Sequence, residues 1–184
     1  GVCIMPLYSK QIQDYTWANK PSVAPLGQII CVTDVGENGI LSRGNGTKWV
    51  RMHPVNFYNL ATPVVLTGTT SETTMLTVSI PAGFINKRGR LNMLGLMTLT
   101  NNANLKTLKV KFGGQTIATV ASTSQAVLGF STWLLNLNIE TSQKNGNATS
   151  FTIDTTIAND LVITGQLANS ADTLTLTALS VEII

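Results

Sequence analysis

A single histidine, His53, stands beside Pro54, and it is the only imidazole available for acid–base work or for activating a nucleophile. A Ser-His-Asp or Cys-His machine would need this one residue to do everything. No Gly-x-Ser-x-Gly elbow accompanies it. The nine acidic residues are Asp14, Asp34, Glu37, Glu72, Glu140, Asp154, Asp160, Asp172 and Glu182, and they are scattered along the chain. Glycoside hydrolysis needs two carboxylates at a fixed separation, and nothing in this spacing suggests such a pair. Asp34 and Glu37 flank a turn in which Gly36 and Gly39 supply unusual backbone angles, so they read as turn residues rather than cation ligands. Cys3, Cys31 and His53 lack the clustered spacing of a zinc site, and two cysteines are too few for a disulfide framework. Gly44-Asn45-Gly46-Thr47-Lys48 has neither the spacing nor the following helix of a phosphate-binding loop. These residues predict no catalytic, metal or cofactor site, and a chain that is not an enzyme.

Binding is the remaining chemistry. Lys87, Arg88, Arg90, Lys106, Lys109 and Lys111 supply half of the twelve basic residues within a short stretch. The simple reading is a solvated strand face with its turns. The sharper one is a surface contact for an anionic partner, such as an acidic polysaccharide or another protein. Nucleic acid fits poorly, because no aromatic residue is interleaved with these charges before Phe112 and a stacking platform is missing. Tyr15 and Trp17 are placed to stack on a sugar or to plug a neighbouring subunit, and the plug is the preferred reading. Trp49 reads as the packing centre of a small hairpin unit, and Trp133 as a core residue.

The elements that position these residues are strands. Of 184 residues, 43% are apolar and only 11% are charged, well below the roughly 25% charge of ordinary soluble domains. Thr and Asn supply much of the missing polarity, and they suit half-exposed strand faces and turns. No apolar run reaches the roughly 18–20 residues that span a bilayer, so no membrane insertion is expected. Residues 1–26 are punctuated by Pro6, Pro21 and Pro25 and read as an extended arm or linker. Residues 27–56 read as a small β-meander, closed by the type I′ turn signal Asn45-Gly46.

From residue 57 to 184 the pattern is of repeated strands separated by Gly, Asn and Ser clusters, which predicts an antiparallel, jelly-roll-like β-sandwich. Leu108, Val110 and Phe112 alternate with Thr107, Lys109 and Lys111. In 131–140 the series Trp133, Leu135, Leu137 and Ile139 is expected on the buried face. Residues 90–100 are apolar on both sides. Leu91, Met93, Met97 and Leu99 share one face, while Leu94 and Leu96 lie on the other, where a second layer or another subunit would cover them. Near the end, the apolar phase slips by one between Ala178 and Leu179, which predicts a β-bulge or bend there.

Two stretches resemble known proteins. Asn19-Lys20-Pro21, Gly27, Val32-Thr33-Asp34, Gly36 and Gly44-Asn45-Gly46-Thr47-Lys48-Trp49 resemble a short module of tail-fibre and other appendage proteins of tailed bacteriophages and prophages. Ile80-Pro81-Ala82-Gly83, Gly89-Arg90-Leu91, Thr100 to Asn104, Lys106-Thr107-Leu108 and Phe112-Gly113-Gly114 resemble the β-sandwich that follows it in such proteins. The resemblance implies an all-β structural virion protein: a homotrimeric tail-fibre, spike or appendage module engaging the host surface. Its expected partners are further copies of itself, other virion proteins and a host surface glycan. The alternative is a non-receptor part such as a head decoration, collar, neck or baseplate adaptor. The motifs are turn signatures and core positions, and no binding residue carries over from them.

Overall fold

Side chains two apart on a strand share a face, and this period governs nearly every element of the protein. The computed structural model describes residues 13–15, 19–22, 29–32, 40–44, 49–51 and 55–184, with side chains for 19–22, 42 and 56–184. Among them all regular structure is β. The chain divides into two units, 1–53 and 54–184.

The first unit holds β1 (Gln13–Tyr15), β2 (Ile29–Val32), β3 (Ile40–Gly44) and β4 (Trp49–Arg51). β2, β3 and β4 form an antiparallel meander. β1, which lies within the segment read as an arm, pairs parallel with β2, Gln13 opposite Ile30 and Tyr15 opposite Val32.

The second unit holds β5 (Val55–Asn59), β6 (Val64–Leu66), β7 (Thr73–Ile80), β8 (Arg90–Leu99), β9 (Lys106–Phe112), β10 (Gln115–Ser122), β11 (Val127–Asn136), β12 (Gln143–Asn145), β13 (Ser150–Phe151), β14 (Asn159–Leu167) and β15 (Leu174–Ile183). One sheet has the order β10-β9-β14-β7. The other runs β13-β12-β11-β8-β15-β5, with β6 also paired to β15. Every pairing in this unit is antiparallel. β5 begins at Val55 and pairs with β15, so strands of this unit start before residue 57. The antiparallel β-sandwich expected from the strand pattern is therefore the observed fold.

Its core is built by alternation. β9 buries Leu108, Val110 and Phe112, β14 buries Leu161, Ile163 and Leu167, and β8 buries Leu91, Met93, Met97 and Leu99. Each such side chain contributes roughly 1.5–3 kcal/mol when fully buried. The chain changes sheets in the loops 67–72, 81–89, 100–105, 123–126, 152–158 and 168–173.

Two expectations need correction. On β11 the buried residues are Phe130, Leu134 and Asn136, so Trp133 and Leu135 lie on the outer face, and Ile139 lies exposed beyond the strand. The reason is a polar residue that the core accepts. The Asn136 side-chain amide donates to Ile85 O (3.0 Å), Asn86 O (3.1 Å) and Thr155 Oγ1 (2.8 Å), and a buried amide with partners is tolerated. On β15 a phase slip exists, but the break in register with β8 falls between Leu176 and Ala178 rather than after Ala178. Thr177 is the extra residue, and its hydroxyl donates to Leu96 O at 2.8 Å.

Gly95 on β8 has a steric role. A Cβ there would come within 2.2 Å of the Phe130 ring on β11. Gly95→Ala is expected to cost about 1–3 kcal/mol by overpacking. In a Phe130→Leu background the same change should cost clearly less, a coupling that a double-mutant cycle in urea measures.

Candidate functional site

The six basic residues that stand close in sequence do not form one patch. Lys109 and Lys111 point outward from β9 and share one carboxylate. Lys109 Nζ lies 2.6 Å from Glu72 Oε2, Lys111 donates to Glu72 Oε1, and the Thr164 hydroxyl donates to the same Oε1 at 2.9 Å. These bonds, led by that from Lys109, pull the Glu72 carboxyl from 4.5 to about 2 against a small opposing effect of burial. Lys87 and Arg88 sit in the loop before β8. Lys87 lies 4.0 Å from Glu140, and Arg88 Nε donates to Asn138 Oδ1 at 2.9 Å. Arg90 opens β8 on the outer face of the larger sheet.

Lys106 is the clear departure from a surface role, being only 1% exposed. Alternation forces it inward as the first residue of β9, whose burial pattern continues through Leu108. Its ammonium is satisfied there. It donates to Asn104 O at 2.9 Å and to Asn102 Oδ1, and it faces Asp172 Oδ2 at 3.4 Å. Asn102 Nδ2 donates to Asp172 Oδ1 at 2.7 Å. Burial pushes the Asp172 carboxyl up, but the amides of Asn102 and Asn104 and the Lys106 charge outweigh it and hold it below its ordinary value. The cluster ties the 100–105 loop to the 168–173 loop and is a structural device.

The outer face of the larger sheet is different in kind. β11, β8 and β15 lie side by side there, and their register lays the outward residues in rows. One row is Trp133, Asn92, Glu182. The next is Ser131, Leu94, Ser180. The third is Gly129, Leu96, Ala178. Leu94 is 63% exposed and Leu96 40%, as the alternation along β8 predicts, and Val127 in the following row is 55% exposed. Around Trp133 the face dips into a concavity of about 320 Å³, lined by Arg90, Asn92, Leu94, Ser131, Ser180 and Glu182 besides the indole. The indole packs near Gly146 of the β12–β13 turn, where a Cβ would stand 3.3 Å from Nε1.

Of this arrangement the sequence offered Arg90, Leu94 and Leu96. Asn92, Ser131, Trp133, Ser180 and Glu182 escaped, because the register of three strands distant in sequence brings them together. The side chain of Tyr15, together with Trp17, Cys3, Gly46, Asp34, Glu37 and His53, lies outside the described residues. Among the described residues no group of three or more His, Cys, Asp or Glu side chains is placed to hold a metal, and no helix is long and apolar enough to cross a membrane.

No protein-family model matches the chain, and no curated protein matches it in sequence. Among the solved structures that are similar at low identity are three of differing kind. The insecticidal delta-endotoxin Cry8Ea1 from Bacillus thuringiensis is 10% identical with a TM-score of 0.39, over 65% of this chain and 19% of the toxin. The CBM36-1 domain of a multidomain xylanase from the hindgut metagenome of Trinervitermes trinervoides is 13% identical with a TM-score of 0.36, over 64% and 74%. Dimeric latent PorU from Porphyromonas gingivalis is 10% identical with a TM-score of 0.36, over 70% and 13%. The chain thus spans a small part of the first and third of these proteins, and none of the three carries an inference of function.

Two measurements test the electrostatics. Because the folded-state pKa of Glu72 is depressed, its contribution is present above pH 4.5 and is lost as pH falls toward about 2. Acid titration of stability should show that loss, smaller at high salt, and Glu72→Gln should remove it. Lys106→Met leaves the Asp172 carboxylate buried without its cation, so in urea it should lose more stability than Gly95→Ala does. Adding Asp172→Asn should restore part of the loss.

Proposed function

We propose that this chain is a non-enzymatic structural module of a tailed-bacteriophage virion, a homotrimeric part of a tail fibre, spike or similar appendage that engages the host surface. The observation that carries the reading is the pair of exposed leucines in the middle of the larger sheet. β8 is hydrogen-bonded to β11 on one side and β15 on the other, so its backbone is satisfied. Leu94 and Leu96 nevertheless stand outward, beside Val127. Monomers rarely leave apolar patches beyond a few hundred Å² open. Further copies of the chain would cover this one, and three copies about one axis close the assembly without open growth. The low charge of the sequence and its likeness to appendage modules over 19–49 and 80–114 support the same reading. Its non-enzymatic part rests on the one histidine and the scattered carboxylates.

Sedimentation equilibrium at micromolar concentration is the test. The chain mass is 19.7 kDa, and the particle should weigh about three times that. Leu94→Glu combined with Leu96→Glu should yield folded monomers. A well-behaved wild-type monomer would overturn the reading.

A further inference from the structure

We infer that the concavity around Trp133 is a saccharide-binding site, taking a neutral pyranose ring with its C–H face on the indole. The inference deepens the host-surface reading above and rests on it for biological meaning, though its geometry stands alone. Three features carry it. The first is the Trp133 indole, half-buried on the outer face of a sheet and lining the concavity; an indole combines an apolar plane with a polar edge. The second is the set of polar groups gathered beside it. The Asn92 amide and Glu182 carboxylate stand in the same row as Trp133, the Ser131 and Ser180 hydroxyls stand in the next, and Arg90 lies at the end of β8. The third is that these groups are unused. Some polar side chains elsewhere on the sandwich are engaged by one another, as in Glu72 with Lys109, Ser79 with Asp160 and Arg88 with Asn138. Among the described residues, the side chains of Arg90, Asn92, Ser131, Ser180 and Glu182 make no hydrogen bond or ion pair.

An aromatic plane ringed by free hydroxyl, amide, carboxylate and guanidinium groups matches a sugar, which offers one apolar face and a rim of hydroxyls. The volume of about 320 Å³ is at the small end of ligand pockets, roughly 300–1,000 Å³, which suits one or two rings. Arg90 and Glu182 balance in charge, which favours a neutral sugar over an acidic one. Leu94 and the two serines of its row border the apolar contact proposed above, so self-association through Leu94 and Leu96 places the row of Trp133, Asn92 and Glu182 at the rim of that contact.

The test uses the full chain, labelled with nitrogen-15, and the methyl glycosides of glucose, galactose, mannose and N-acetylglucosamine as probes. The Trp133 indole N–H signal, assigned by its loss in Trp133→Phe, should shift with at least one glycoside. Asn92→Ala and Glu182→Gln are outward-facing changes, and each should weaken that binding roughly three- to tenfold. An indole signal unmoved by all four glycosides overturns the site. So does binding that neither substitution weakens. Sedimentation of the same sample separates the two readings: a trimer without shifts removes the site alone, and a monomer with shifts removes the trimer alone.

Discussion

The register of β8 between β11 and β15 is the constraint on which the larger sheet depends. Once Leu91 is set opposite Leu134 and Ile183, the two-residue period decides the positions on three strands, except where the bulge at Thr177 shifts the phase of β15. Leu91, Met93, Met97 and Leu99 go inward with Leu176, Leu179 and Val181, and the intervening residues go outward. The close fit of Phe130 over Gly95 helps to hold that register, since any other residue at 95 would meet the ring. A slip of one residue would exchange core for surface along the whole ladder. The same register that fills the core therefore also composes the outer face, with exposed Leu94, Leu96 and Val127 toward one end and the row of Trp133, Asn92 and Glu182 toward the other.

Where the chain leaves one sheet for the other, buried polar groups take over from apolar packing. At one end Lys106, Asp172 and Asn102 link two crossings, and Thr100 and Thr173 bond to each other beside them. Toward the other, Asn136 and Thr155 tie the 81–89 loop to the 153–158 loop, while Gln143 bonds with the Ile153 backbone through both ends of its amide. Loops carry backbone groups that cannot find ladder partners, and side-chain amides supply those partners. This explains why a chain so poor in charge keeps several buried Asn and Gln residues.

How much of this could be read from the sequence differs from strand to strand. β9 was legible, because its apolar positions alternate strictly and nothing competes with them. The outward leucines of β8 were legible for the same reason. β11 was not, since it carries two apolar series in opposite phase and the longer one faces out. Only the hydrogen bonds awaiting Asn136 in the core decide between them. Lys106 looked like a surface charge because Asp172, the carboxylate it faces, comes from a loop distant in sequence. The concavity was illegible for the deeper reason that its walls come from three strands. No local pattern announces that Asn92 will sit between Trp133 and Glu182.

The place of β15 has a consequence for how the protein is made. It is the last of the described strands in chain order, yet it lies inside its sheet and pairs with β8, β5 and β6. Until it is synthesised, β5 and β6 have no partner in that sheet, and β8 shows one bare edge. Pairing between segments so far apart carries a loop-closure cost that slows folding. Open, apolar strand edges therefore persist until β15 docks, a state prone to aggregation.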